Sequence, residues 1–311
     1  MNQTAKIMSL LTIGTVAFDD IETPFGKADK VIGGACTYAS YAASYFTDDI
    51  RLCSIVGADF PEEEIKALEG RGVNMDGLQI KGDGLTFFWA GKYHENMNKR
   101  DTLATDLNVL DDFDPVLPDS FKNSKYVMLG NLTPEIQIQV IKQLDGSQRL
   151  IVLDTMNFWM DVAMDSLLEA ISMVNVITIN DEEARQLSGE YSLVKAAEKI
   201  HKMGPEFIVI KKGEHGALLF SGGEIFSAPA LPLAQVYDPT GAGDTFAGGF
   251  IGYLSHSDDI SFQNMKTALI YGSCMASFCV EEFSIERLRN LSNDEIVNRI
   301  GKFRTLTQFD I

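Results

Sequence analysis

Residues 238–250, DPTGAGDTFAGGF, place glycines beside a carboxylate where a loop should run into a helix. Gly241 and Gly243 let successive backbone N–H groups point into one concavity, and the following helix adds the positive end of its dipole, so the segment can hold an anion. Asp244 stands at the helix start. There its carboxylate can cap free amides, or it can take the proton of a hydroxyl that attacks a phosphoryl group held by those amides. Gly248, Gly249 and Gly252 continue into the helical pattern, although each costs about 1 kcal/mol relative to alanine. A face without side chains lets another segment or a ligand approach the backbone closely. These residue types point to phosphoryl transfer to an alcohol. The sequence has no GxxxxGK[ST] loop, and no GxGxxG follows its first apolar run; this removes a Walker-type ATP site and weakens a dinucleotide-dependent dehydrogenase.

Such residues need a frame that brings them together. Short apolar runs recur along the chain, SLLTIG, LCSIVG, YVMLGN, LIVLD, VITIN and FIVIKKG, and their β-branched content reads as buried parallel strands. Helical patterns lie between them, among them ACTYASYAASYF, PEEEIKALEGRG, PEIQIQVIKQLDG, DSLLEAISMV, DEEARQLSG and LVKAAEKIHKMG, several closed by glycine. The alternation predicts an α/β fold with a central, mostly parallel sheet and helices on both faces. Residues 16–31 and 81–110 break the rhythm with strand-like pieces, turn residues and aromatics. They predict a small second sheet, either a lid over the carboxyl-end crevice or an edge hairpin outside the chemistry. No repeat or Pro/Ser-rich linker interrupts the chain, so residues 1–311 read as one domain with these segments inserted.

The bulk numbers narrow the partners. A net charge of -18, from 26 Lys+Arg against 44 Asp+Glu, argues against nucleic acid and anionic membrane. An anionic substrate must then be held by backbone amides, a metal or a few placed lysines. Cys36, Cys53, Cys274 and Cys279 fit neither zinc spacing nor a disulfide framework and read as reduced core thiols. The run IMSLLTIGTVAF lacks a small-residue cleavage site and passes into acidic residues, so it reads as an opening strand rather than a signal peptide. No run reaches the roughly 18 apolar residues of a membrane helix, and the expectation is a cytoplasmic protein. An exposed lid edge makes a homodimer through the lid sensible.

DPTGAGDTFAGGF closely resembles the C-terminal signature of the ribokinase-like carbohydrate kinases, the PfkB family. GGACTYASYAA at 33–43, followed by SIVGADF, resembles their N-terminal signature. The resemblance spans essentially the whole chain, with both signatures in the expected order. It implies a ribokinase-like fold with a β lid and an ATP- and magnesium-dependent kinase acting on a hydroxyl of a sugar, a nucleoside or a related alcohol. A binding or regulatory protein on the same scaffold is the alternative from another class. By the same resemblance Asp244 is the catalytic base, and Gly241, Ala242 and Gly243 form the anion hole. Asp19 binds substrate hydroxyls, and Gly33 and Gly34 let the lid hinge and the substrate approach. Asn131 and Asn157 are further substrate-binding candidates. In NDEE, Asn180 lies near the phosphates and Glu183 organises magnesium through water, although the tetrapeptide alone reads as an ordinary helix N-terminus. Lys211, Gly213, Gly216 and Thr240 are nucleotide-site candidates, with a solvated edge as the other reading of Lys211. Asp238 marks a position where some members bind a monovalent cation, potassium among them.

Two departures and one orphan segment stand out. Ala35, Cys36, Thr37 and Tyr38 occupy the stretch where the ribokinase pattern places lysine, glycine and asparagine, and Phe283 stands where many members carry glycine. The first argues against a pocket shaped for free ribose. GKYHENMNKRDTL has no counterpart in the pattern; its His94, Lys99 and Arg100 can reach a hydroxylated or phosphorylated substrate, and Phe87, Phe88 and Trp89 can stack on a base or sugar face. Asp154 and Asn157 end a strand at the expected crevice, with Phe158 and Trp159 as core candidates.

Overall fold

The computed structural model describes residues 8–310; Ile7, which opens the first apolar run, lies outside them. The strands are β1 (Leu10–Ile13), β2 (Ala17–Thr23), β3 (Gly26–Gly33), β4 (Ile50–Gly57), β5 (Val73–Lys81), β6 (Phe88–Tyr93), β7 (Arg100–Asp106), β8 (Tyr126–Leu129), β9 (Leu150–Asp154), β10 (Val176–Asn180), β11 (Phe207–Lys211), β12 (Ala217–Ser221) and β13 (Glu224–Ala228). They form a nine-stranded sheet in the order β13-β12-β11-β10-β9-β8-β1-β4-β5 and a four-stranded sheet in the order β3-β2-β6-β7. From β11 across to β5 every pairing of the large sheet is parallel, and β12 and β13 close one edge antiparallel.

Neighbouring residues on one strand fall into different cores. Leu10 joins the cluster on one face of the sheet and Leu11 the cluster on the other. Both faces are therefore covered, and this is why the parallel strands read as unbroken apolar runs instead of alternating. The small sheet draws β2 and β3 from one part of the chain and β6 and β7 from another, and it matches the two segments that broke the strand–helix rhythm. Its only parallel pairing is β2 with β6.

The helix Ala242–Ser257 lies in the core against two others, Ala35–Ala43 and Phe262–Cys279. Its glycines make that possible. A Cβ on Gly248 would come within 2.6 Å of the Ala39 Cα, one on Gly252 within 2.8 Å of the Ala43 Cα, and one on Gly249 within 2.8 Å of Met275. Another chain segment, rather than a ligand, thus occupies the bare face. The close approach of packed backbones offsets the low helix propensity of glycine. All four cysteines are free and buried, and no helix among the described residues is long and apolar enough to cross a membrane.

Candidate active site

Three adjacent parallel strands, β9, β10 and β11, end on Asp154, Asn180 and Lys211. The register sets Asn180 opposite Lys211, so the sheet delivers an acid, an amide and a cation to one crevice at its carboxyl edge. The Lys211 ammonium donates to Asp154 Oδ1 at 2.9 Å, and Thr178 Oγ1 donates to the same oxygen at 3.0 Å. Burial alone would lower the Lys211 pKa, but the carboxylates of Asp154, Glu183 and Asp244 outweigh it and raise it, which keeps the side chain charged. Lys211 is therefore a largely buried, paired cation and not part of a solvated edge, its side chain being 17% exposed.

The helix Asp181–Ser188 begins with the capping box read as one possibility in NDEE. Asn180 Oδ1 accepts from the Glu183 amide at 2.8 Å, and Glu183 Oε2 accepts from the Asn180 amide at 2.8 Å. Capping accounts for one Glu183 oxygen. Burial, with some help from Asp154, pushes the Glu183 carboxyl up to about 7 against the pull of Lys211, the Asn180 amide and Arg100.

Gly241 opens the helix Ala242–Ser257 with φ 71, and any side chain there would run into the Tyr38 ring. Both constraints require glycine. Gly241 at the N-cap has no side chain with which to cap this helix, and the backbone hydrogen bond to the Asp244 carboxylate, in the first turn, comes from its own amide. Its carboxyl rises to about 7, first because it is removed from water and then because Asp154 is near, with Lys211 and Arg100 opposing. Lys211 Nζ lies 3.3 Å from where a Cβ on Gly243 would stand, so a fixed cation flanks the amides at the helix start. An uncapped helix N-terminus beside a buried ammonium is suited to phosphate.

Asp19 reaches the same region from β2. It is buried, and its carboxyl is pushed up to about 8 by burial and then by the charges of Asp238, Asp244 and Asp20. A Cβ on Gly33 would overlap the Asp19 carboxylate, and Gly34, at φ 95, passes too close to the Thr15 carbonyl for a side chain. The glycine pair thus makes room for an acid. Asp238 is buried and holds a loop: its oxygens accept from the Thr240 amide at 2.8 Å and the Ser284 amide at 3.0 Å.

The small sheet touches both loops of this crevice. Thr240 Oγ1 donates to the Tyr93 hydroxyl at 3.2 Å, and a side chain on Gly213, at φ 53, would meet Asn98 Oδ1 at 2.6 Å. Gly216, at φ 81, passes against the Ala228 carbonyl in the turn between β11 and β12. Asn131 is already engaged, accepting from Trp159 Nε1 at 2.8 Å and donating to Met156 Sδ at 3.1 Å. Asn157 is exposed at the start of the helix Asn157–Val162. Phe158 is no core residue, since it is 49% exposed, and Trp159 is half-buried. Two site neighbours were not read as such: Tyr38 stood out only as a departure from the ribokinase pattern and Tyr93 not at all, because only the fold brings their rings to the loop 238–241.

Residues 18–287 match the pfkB family carbohydrate kinase. The chain belongs to the PfkB family of carbohydrate kinases. It is accordingly a phosphotransferase with an alcohol group as acceptor, of a family that works with ATP and magnesium. Among its relatives, the cytidine kinase of Thermococcus kodakarensis is 29% identical over 251 residues, covering 79% of this chain and 88% of that one. Two solved structures share its ribokinase-like fold. The Burkholderia thailandensis nucleoside kinase in complex with inosine has a TM-score of 0.75 at 19% identity and covers 97% of this chain and 100% of that one. The Arabidopsis thaliana ribokinase complexed with ribose and ATP has a TM-score of 0.76 at 20% identity, with 94% and 98% covered.

The residues present fit the nucleotide and its metal. The uncapped helix start and Lys211 suit a polyphosphate. Among the described residues no group of three or more His, Cys, Asp or Glu side chains can hold a metal ion. Capping uses one Glu183 oxygen, and the other suits magnesium, which keeps several waters and is bound through phosphates and one or two carboxylates.

Proposed function

We propose that this kinase transfers the γ-phosphate of ATP to a hydroxyl, in the first place a hydroxymethyl, of a sugar or sugar-like substrate, with Asp244 as general base. The observation that carries this reading is Asp244 beside an uncapped helix start and the Lys211 ammonium. Asp244 accepts the hydroxyl proton, and the Gly241, Ala242 and Gly243 segment with Lys211 holds the phosphoryl oxygens. Magnesium, when bound, supplies positive charge to those oxygens, and Glu183 is the carboxylate placed to orient its waters. Asn180, Gly213, Gly216 and Thr240 line the nucleotide side. Asp19 holds acceptor hydroxyls where Gly33 and Gly34 leave space, with Asn131 and Asn157 beyond. The small sheet acts as the lid and excludes water from the transfer. Its edges, β3 and β7, support a homodimer formed through the lid. Potassium beside Asp238 would be held chiefly by backbone carbonyls, since both oxygens of that carboxylate already accept from amides.

A nucleoside acceptor is the second reading. It is favoured by Trp89, which β6 sets opposite Asp19 in the sheet register, and by the cytidine kinase and nucleoside kinase relatives. One experiment addresses both: ADP release with magnesium-ATP against a panel of sugars, sugar phosphates and nucleosides, beside Asp244→Asn. Acceptor-dependent turnover that the variant loses by about 10²- to 10⁴-fold, with ATP binding retained, supports Asp244 as base. Unchanged turnover removes Asp244 from the mechanism.

A further inference from the structure

The segment that follows the helix Phe262–Cys279 runs beside the loop that leads to Gly241: the Tyr237 amide donates to the Val280 carbonyl at 2.9 Å, and Cys279 Sγ donates to the Thr240 carbonyl at 3.5 Å. It then reaches the small sheet. The Phe283 ring lies 3.5 Å from where a Cβ on Gly26 would stand, at the start of β3, and the Ser284 hydroxyl donates to the Ile32 carbonyl at 2.5 Å, near the end of the same strand. Ile32 precedes Gly33, whose missing side chain makes room for the Asp19 carboxylate.

Ser284 is bonded on its other side as well. Its amide donates to Asp238 Oδ2 at 3.0 Å, and Asp238 Oδ1 accepts from the Thr240 amide at 2.8 Å, one residue before Gly241. Three hydrogen bonds thus join the strand paired with Asp19 to the left-handed glycine at the helix start. The backbone at Ser284 is held against its own preference. Four non-glycine residues among the described ones have positive φ, and Ser284, at φ 60, is the only one of them that is buried. A residue with a Cβ is disfavoured in that region, and such a conformation persists where its surroundings fix it. Glycine would satisfy the backbone there, but it has no hydroxyl for Ile32.

We propose that Ser284 is a positioning residue that sets the spacing between the wall of Asp19 and Gly33, where the acceptor lies, and the Gly241, Ala242 and Gly243 segment, where the phosphoryl oxygens lie. The proposal rests on the kinase reading above. Ser284 acts through Ile32 and Asp238 rather than on the reactants, and because it is 3% exposed, water does not readily replace either bond. In-line transfer tolerates little error in that spacing, since a misplacement of about 1 Å can cost about 10²-fold in rate.

The test is steady-state kinetics of wild type, Ser284→Gly and Ser284→Ala with magnesium-ATP and the acceptor found by the panel, with ADP and phosphorylated acceptor counted separately. Ser284→Gly keeps the backbone conformation and removes the hydroxyl; Ser284→Ala removes the hydroxyl and keeps the strain. The expected result for both is a fall in kcat of about 10- to 10²-fold, with KM for ATP and for acceptor changed only a few-fold. More ADP than phosphorylated acceptor should appear, because water then meets a phosphoryl group that the acceptor no longer faces in line. Thermal midpoints show which variants are folded, and if Ser284→Ala is not, Ser284→Gly carries the test. An unchanged kcat overturns the proposal. So does a rise in acceptor KM at constant kcat, which would leave Ser284 a part of acceptor binding alone, and so does unfolding of Ser284→Gly, which would make its hydroxyl a support of the fold. If the wild type itself releases no ADP with any acceptor, the kinase reading falls and this proposal with it; failure of the Ser284 proposal alone leaves wild-type turnover intact.

Discussion

Asp244 has two properties that a base needs, a position in the first turn of a helix whose N-cap is glycine and a carboxyl raised to about 7. A base works only when deprotonated, so kcat/KM should rise with pH below about 7 and level off above it. Glu183 titrates in the same range, so the limb belongs to the cluster rather than to one residue. A pH profile that is flat between about 5.5 and 8 would speak against the assignment. Tyr38 offers a separate check. It is buried against Gly241, and its hydroxyl has no hydrogen-bond partner. Tyr38→Phe removes that unpaired group and should raise the unfolding free energy, measured by urea denaturation, by up to about 1–3 kcal/mol; a large loss would show the hydroxyl to be satisfied. The glycine loop and Asp244 were legible in the sequence because their chemistry depends on adjacent residues. The Asp154–Lys211 pair was not, since its members are 57 residues apart and meet only through the order of β9, β10 and β11. Arg100 was legible as a donor but not as a charge felt by Asp244, because that influence needs the small sheet folded near the large one.

The strands in the middle of the large sheet read clearly because burial on both faces leaves them no polar positions. Edge strands lose that signal. β5, VNMDGLQIK, and β13, EIFSA, mix buried, half-buried and exposed positions, and neither stood out from turns and loops. The glycine helix was legible as unusual, but its cause lay in two other helices. That cause can be tested by contrasting two glycines within helices. Gly248→Ala places a methyl against the Ala39 backbone, which cannot yield as a flexible side chain would, and should cost about 1–3 kcal/mol, as overpacking does. Gly301, inside the helix Asn293–Thr307, has nothing within 4 Å of an added Cβ. Gly301→Ala should stabilise by about 0.4–1 kcal/mol through the unfolded chain and helix propensity. Urea unfolding with unchanged m-values would report both; equal effects at the two sites would refute the packing account.

The whole molecule carries a net charge of -18, yet its most perturbed carboxyls converge on one crevice. Asp19 rises to about 8, and Asp244 and Glu183 each to about 7, with burial as the largest cause for all three. Each binds a proton in the folded state that the unfolded chain releases near pH 4. Between about pH 4 and 8, unfolding therefore releases protons, and stability must fall as pH rises. Their contribution is fully present below the unfolded pKa values and is lost as pH passes through the folded ones. Surface repulsion among the exposed acids acts in the same direction, but it is screened by salt whereas the buried groups are screened much less. The thermal midpoint should thus decline from about pH 5.5 to 8.5 even in about 0.5 M salt. Asp19→Asn removes the most strongly raised group, at a position that the Gly33 backbone leaves open for a side chain of that size, and should flatten the decline. A midpoint that rises with pH in high salt, or a slope untouched by Asp19→Asn, would mean that these acids are ionised in the folded enzyme. The crevice would then bear enough negative charge to repel ATP, and Lys211 and Arg100 would not suffice to hold it.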